Sequence, residues 1–380
     1  MRRKTIAVAI AVAAALGAGV AVPAAAAPHA GAPHTRQRVP ANAEALRQAI
    51  AGLPDAGATA AQVRFGGKDG SWAGTSGEAD LRTHRAPKGD ERFRAGSITK
   101  AFTAATALQL VHEGKLSLDG TVQRYLPGLL PAHYPDVTVG QLLNYTSGLP
   151  SADGSFESDL KERFTSWDHR ELVQRAFTKP MNFTPGTRQE YSNIGYNVLG
   201  LLIEKATGHS YEREVRERVI DRAGLKDTYS PGDAAGIRGR HTHGYQLSKG
   251  ELFDATEWNQ SITWASGDLI TTTADLERFT SALFRGRVVP KAELELMFTV
   301  PDVPAYGKHE KAAYTSGLTR IELGDTVVWG KSGGRYGYLN GFGATRDLSR
   351  TLVYSVNATE AKSEKGTPVV GKIIKAAFGS

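Results

Sequence analysis

The sequence predicts an α+β fold, an α/β sandwich whose sheet is assembled from two separated stretches of chain with an α-helical insert between them. Three observations carry that expectation. Short strand-like runs lie near both ends of the 380-residue chain. The middle consists of helical segments broken by Pro and Gly. An Ala-rich segment with Phe102, Ala105, Leu108, Leu110 and Val111 reads as a helix buried on all sides, ended by Gly114.

Taken in order, Arg2-Arg3-Lys4 precede an apolar run over residues 6–22 and the small residues Ala24-Ala25-Ala26-Ala27. That is the charged head, apolar stretch and cleavage site of an export signal, so residues 1–27 are expected to be removed and the mature chain to be secreted into the cell-wall space. No later run approaches the length of a membrane span, so no stable membrane insertion of the mature chain is expected. Residues 28–41, rich in Ala, Pro and His, read as a flexible leader. A sheet domain is expected from 42–122 and 264–380, with a helical domain over 123–263. Within it, a helix starts near Asn42 and strands follow around 61–65 and 71–77. Helices are expected over 171–177, 194–207, 213–222 and 273–284. Strands follow over 313–318, 326–330, 341–346 and 351–357, with a closing helix over 367–378.

Composition removes several function classes. With no cysteine there is no disulfide framework, no thiolate zinc site and no thiol nucleophile. The formal charge is +7, and losing the three basic residues of the export head leaves +4, too little for a nucleic-acid surface. His241-Thr242-His243 has no third ligand at metal-site spacing and reads as surface.

Chemistry is concentrated in three short motifs. Ser97 and Lys100, three apart at a helix start, share a face. A serine hydroxyl needs a neighbour to take its proton, and a lysine with a lowered pKa can do so. The same spacing recurs at Ser158 and Lys161, in a polar stretch that reads as solvated. Tyr191-Ser192-Asn193 lies on a pre-helix loop. Its phenol could relay a proton if nearby cations depress its pKa, and its amide could bind a carbonyl; a plain N-cap cluster is the alternative. Tyr338-Leu339-Asn340 has the same pattern but reads as a turn. Lys331-Ser332-Gly333 closes an apolar run, presenting a cation, a hydroxyl and an open backbone. It also falls within G-x-S-x-G, but Arg335-Tyr336-Gly337-Tyr338 immediately after it does not look like the helix a nucleophile elbow needs. A phosphate-binding loop would require a glycine where Asp325 stands.

In this order, with Tyr191 94 residues after Ser97 and Lys331 140 residues after that, the set resembles the serine β-lactamase and D-alanyl-D-alanine carboxypeptidase superfamily, in its class C-like branch. Leu118-Asp119-Gly120, the run from Leu142 to Leu149, Pro185-Gly186-Thr187, His243-Gly244-Tyr245 and Ser266-Gly267-Asp268-Leu269 are similar as well. The resemblance implies an antiparallel sheet flanked by helices, an all-helical domain and a site between them. It implies Ser97 as acyl-forming nucleophile, with Lys100 and Tyr191 sharing the proton transfers. Asn193 would hold the substrate amide, and Lys331 and Ser332 would face its carboxylate. The backbone N–H groups of Ser97 and Gly334, beyond Gly333, would form an oxyanion hole, and Trp264 an aromatic wall. The expected reaction is serine-type D-alanyl-D-alanine carboxypeptidase hydrolysis by a monomer. Its partners would be peptidoglycan stem peptides or β-lactams, with no cofactor, metal or nucleic acid. A class C-like β-lactamase, an esterase or D-amino-acid amidase, and a silent binding protein of the same fold are the alternatives.

Overall fold

The computed structural model describes residues 38–151, 156–307, 310–363 and 367–379. The expected export segment, and the leader up to residue 37, lie outside them. Among the described residues no helix is long and apolar enough to cross a membrane.

Helix α1 (Ala43–Ala49) leads into strands β1 (Ala58–Gly67) and β2 (Trp72–Gly77), then a two-residue strand β3 (Phe93–Arg94) that runs directly into the Ser97 turn. Helix α2 (Thr99–His112) follows. Its residues from Thr99 to Leu110 are all buried, as the Ala-rich pattern predicts. Short helices α3 (Val122–Tyr125), α4 (Val139–Leu143), α5 (Phe156–Lys161) and α6 (His169–Gln174) precede the long α7 (Asn193–Thr207) and α8 (Tyr211–Val215). The stretch expected to be purely helical also holds a hairpin, β4 (Tyr245–Ser248) and β5 (Glu251–Asp254), closed by the two-residue turn Lys249-Gly250. Strand β6 (Ile270–Thr271) pairs with β3, and helices α9 (Thr273–Phe284) and α10 (Lys291–Leu294) follow. Last come β7 (Thr319–Leu323), β8 (Thr326–Arg335), β9 (Tyr338–Ala344), β10 (Arg350–Ala358) and α11 (Pro368–Phe378).

The main sheet is antiparallel throughout, in the order β2-β1-β10-β9-β8-β7, so strands from both ends of the chain meet at the β1–β10 pair. One face carries α1 and α11, with Leu46, Ile50, Ile373 and Phe378 packed on Val63, Leu352 and Val356. The other carries the larger core. There Phe279 of α9 stacks on Phe102 of α2 at 4.0 Å and meets Phe342 of β9 edge-on. Both faces are covered, so β1 and β10 are buried along nearly their whole length, polar residues such as Gln62, Ser355 and Asn357 included.

Two local expectations change. The run 313–318 is not a strand. Thr315 turns back on itself, its N–H donating to Leu318 and its hydroxyl to the Met297 carbonyl, so local bonds replace a ladder and β7 begins at Thr319. Tyr338-Leu339-Asn340 is not the turn but the start of β9, the turn being Tyr336-Gly337. Strand β8 also runs five residues further than the apolar run suggests, carrying Lys331 to Arg335 within the sheet.

Candidate active site

Ser97 sits on a single turn of 3-10 helix, Gly96–Ile98, that feeds straight into α2. The turn is pinned on several sides. The Ala95 N–H donates to the Leu269 carbonyl at 2.8 Å, and the Asn340 side chain donates to the Arg94 carbonyl at 2.7 Å. It also presses on β8 more closely than side chains would permit. A Cβ on Gly333 would lie 2.0 Å from the Ala95 oxygen, and one on Gly96 would lie 2.8 Å from the Gly334 oxygen. Glycines at these positions let the nucleophile turn touch the strand backbone.

Lys100 projects from the first turn of α2 and is completely buried. Its Nζ lies 3.1 Å from Ser97 Oγ, 2.7 Å from Asn193 Oδ1 and 2.6 Å from the Ser266 carbonyl oxygen. Burial, and after it the Lys331 charge, hold its pKa well below that of an ordinary lysine. A neutral amine has two N–H donors and one lone pair. The two shorter contacts are to obligate acceptors, so they take the donors, and the lone pair is left for the Ser97 hydroxyl.

Tyr191 and Asn193 flank Ser192, the N-cap of α7, whose hydroxyl accepts from the Gly195 N–H at 3.0 Å. The N-cap reading of this motif is met by Ser192, while Tyr191 and Asn193 lie beside Lys100. Ser192 fixes the helix start, and its two neighbours are aimed at Lys100. The Tyr191 ring lies 4.9 Å from the Nζ of Lys100 and 4.9 Å from that of Lys331. The expectation that cations would depress this phenol is not met. Burial outweighs the opposing influence of the nearby Ser97 hydroxyl and raises the pKa, so Tyr191 holds its proton at neutral pH.

Strand β7 pairs with β8 only from Thr326 to Gly330, leaving the edge from Lys331 to Arg335 uncovered where it passes Ser97. Lys331 is 4% exposed and donates to the Ser332 carbonyl at 2.9 Å, its pKa lowered by burial to about 7. Ser332 is exposed. The Tyr336-Gly337 turn makes Arg335–Tyr338 the closing hydrogen-bonded pair of the hairpin. Alternation then directs the amides of Ser332 and Gly334 away from β9, toward the open edge. A cavity of about 490 Å³ takes in Ser97, Tyr191 and residues 331–334. A second, of about 560 Å³, takes in Asn193 and Ser266, both partners of Lys100, and runs on to Arg335 and Lys362.

Eight of the nine expected site residues thus gather round the two cavities; Trp264 does not. Its indole is 2% exposed, stacks on His169 at 3.7 Å and donates to Glu212 at 2.8 Å, so it belongs to the helical core and walls no part of the cleft. The adjacent Ser266 contributes instead, through a carbonyl that carries no residue-type signature. Three further groups carry no motif of their own. Tyr145 stacks on Tyr191 at 5.2 Å, and Tyr314 lies 5.4 Å from it. Buried Gln189 ties the Tyr191 loop to both neighbours, donating to the Asn144 and Tyr314 carbonyls at 2.8 Å each. The run from Leu142 to Leu149 held the Tyr145 signal; nothing local marks Gln189 or Tyr314. His243, read as surface, pairs with Asp254 at 2.9 Å, and no metal-binding cluster occurs among the described residues.

Residues 46–372 match the Beta-lactamase family. The chain belongs to that family. A D-stereospecific amidohydrolase from a Streptomyces species superposes with a TM-score of 0.79 at 33% identity, over 88% of this chain and 98% of its own. The D-amino acid amidase of Ochrobactrum anthropi gives 0.75 at 26% identity over the same shares. Penicillin-binding protein 4* of Bacillus subtilis is 27% identical over 79% of this chain and 67% of its own length. The esterase EstB of Burkholderia gladioli is 33% identical over 40% of this chain, which spans only 41% of that relative. The fold is therefore that of the β-lactamase and transpeptidase-like serine hydrolases, a mixed α/β fold with an antiparallel sheet and helices.

Proposed function

We propose that this serine hydrolase opens the amide bond following a D-configured residue, by acyl transfer first to Ser97 and then to water. The observation that carries the reading is the buried Lys100 amine, whose two donors are occupied and whose lone pair faces Ser97. Lys100 takes the Ser97 proton as the oxygen attacks the carbonyl. The backbone N–H groups of Ser97 and Gly334 receive the developing oxyanion. Tyr191, kept protonated by burial, delivers a proton to the leaving nitrogen and recovers it from Lys100. Asn193 orients the acyl-side amide, and Ser332 presents its hydroxyl to the leaving group. In deacylation water replaces the amine and the transfers run in reverse.

Two substrate readings share this chemistry. D-aminoacyl amides stand first, supported by the Streptomyces and Ochrobactrum enzymes, which this chain matches along nearly their whole length. The D-alanyl-D-alanine carboxypeptidase reading is favoured by similarity to the Bacillus penicillin-binding protein. It stands second because Lys331, the cation expected to meet a terminal carboxylate, is buried, turned toward a backbone carbonyl and only part-charged at neutral pH. In either case the enzyme would work outside the cytoplasmic membrane after loss of residues 1–27.

The test pairs D- and L-alaninamide with a peptide ending in D-Ala-D-Ala, measuring ammonia and D-alanine. Ammonia from the D-amide alone supports the first reading, and D-alanine from the peptide the second. If wild-type protein releases neither, while no benzylpenicillin adduct forms on Ser97 by intact mass, the acyl-serine reading fails.

A further inference from the structure

Arg335 is the last residue of β8, directly after Gly334 on the uncovered edge. It is 4% exposed, and its Nε is buried without a hydrogen-bond partner. Among the described residues no carboxylate stands within ion-pair distance of its guanidinium. Its neighbours are aromatic: it lies 5.6 Å from the Trp258 ring and 5.4 Å from the Tyr336 ring. A buried guanidinium without an ion-pair partner is costly to keep in a fold, because its desolvation is opposed here only by the more distant Asp159 carboxylate and the Tyr336 ring.

The neighbourhood deepens the imbalance. Lys362 lies over the same Tyr336 ring at 4.1 Å, with its nearest carboxylate oxygen, on Asp159, at 3.8 Å. That carboxylate is shared, since it already accepts from the Tyr336 hydroxyl at 2.8 Å. The Arg335 charge, after burial, lowers the Lys362 pKa to about 8, so the two cations feel each other. Both border the 560 Å³ cavity that begins at Asn193 and Ser266, the two groups fixing Lys100. The cavity therefore leads from the reacting serine, past the amide expected to hold the acyl side, to Arg335, which has no ion-pair partner, and Lys362, which shares Asp159 with the Tyr336 hydroxyl.

We propose that Arg335, assisted by Lys362, forms an anion subsite for a free carboxylate on the acyl portion of the substrate, a few atoms upstream of the carbonyl that Ser97 attacks. This deepens the reading of the enzyme as an acyl-Ser97 amide hydrolase and rests on it. A carboxylate entering the cavity would supply the charge Arg335 lacks and accept its donors in fork geometry. The substrate class is accordingly an N-acylated D-residue amide or peptide bearing an acidic group on the acylating arm.

The test compares D-alaninamides capped with succinyl, glutaryl or adipoyl groups against the same caps ending in a carboxamide, which match in shape and differ in charge. For at least one length, wild-type kcat/KM should favour the acid by about tenfold or more. Arg335→Gln should bring that ratio to about one, Arg335→Lys to an intermediate value, and Lys362→Met should lower it, in variants that keep the wild-type melting temperature. Binding of the capped D-alanine products to the Ser97→Ala protein, followed by calorimetry, gives a readout that needs no catalysis. There the acid form should bind about tenfold more tightly, again only while Arg335 is present. Equal turnover and equal binding of acid and amide forms at all three lengths would overturn the subsite. Preferential binding of the acids without turnover by the wild type would instead uphold the subsite and reject the amide-hydrolase reading.

Discussion

The chain contains the same three-residue spacing of serine and lysine twice, and the two copies have opposite fates. Ser158 and Lys161 lie on α5, a six-residue helix, and both are exposed. Ser97 and Lys100 share a helix face too, but Lys100 is wholly enclosed by α2, the α7 N-terminus and the Ser266 carbonyl. An ammonium in water keeps its proton and is no base at neutral pH. Enclosed without a carboxylate, and with Lys331 nearby, it gives the proton up. Spacing supplies only proximity; enclosure supplies the chemistry.

Breaking one copy should therefore be catastrophic and breaking the other silent. Ser97→Ala and Lys100→Ala are expected to lower kcat by on the order of 10³–10⁶, while Lys161→Ala stays within about twofold of wild type. The measurement is steady-state turnover of a D-aminoacyl amide. A large loss in Lys161→Ala would sink the comparison. Tyr191→Phe keeps the ring between the two lysines and removes only the proton, so a fall of about 10²-fold in kcat with little change in KM is expected.

The same contrast explains how much of the site is legible in the sequence. The Ser97, Tyr191 and Lys331 motifs stand out because each puts a reactive residue type beside a glycine or a helix start. Helix α9 is legible to the residue because Thr272 caps it and its apolar positions repeat cleanly. Trp264 misleads because the residue type suggests a binding wall, whereas its direction depends on Glu212 and His169, some 52 and 95 residues away in sequence. The Ser266 carbonyl is invisible for the opposite reason, since every residue has one. Arg335 looks like an ordinary basic residue after a glycine pair. Only the sheet register, which turns it inward beside Lys331 and Gly333, shows that it has no partner. Environment is a property of the tertiary fold, and sequence patterns record it poorly wherever the neighbours come from remote segments.

Activity against pH sharpens the comparison further. Lys100 must be neutral to accept the Ser97 proton, so the rate should fall as pH drops through its lowered pKa. Lys331 helps hold that pKa down, but as the lesser cause after burial. In Lys331→Met the acid limb of kcat/KM should therefore move to higher pH by about one unit or less. A limb that moved downward would mean Lys331 is not repelling the Lys100 charge.

The smallest expected effect is on stability, and its sign comes from the same burial. An unfolded Lys331 holds its proton up to the ordinary lysine value of 10.5, whereas folded Lys331 holds it only below about 7. Between those limits the unfolded chain binds more protons, so wild-type stability should rise with pH across that window and level off below about 7. Lys100 pushes in the same direction. Lys331→Met removes one buried charge while keeping a similar volume, so it should melt higher than wild type near pH 7, by about 3–6 °C. The gap should narrow as pH rises toward 10.5 and close above it, where the wild-type lysine is neutral in both states. Lys161→Met, on the exposed copy of the motif, should show neither the gain nor its pH dependence. If the two variants melted alike across the range, the enclosure of the active-site lysines would not be the source of their lowered pKa.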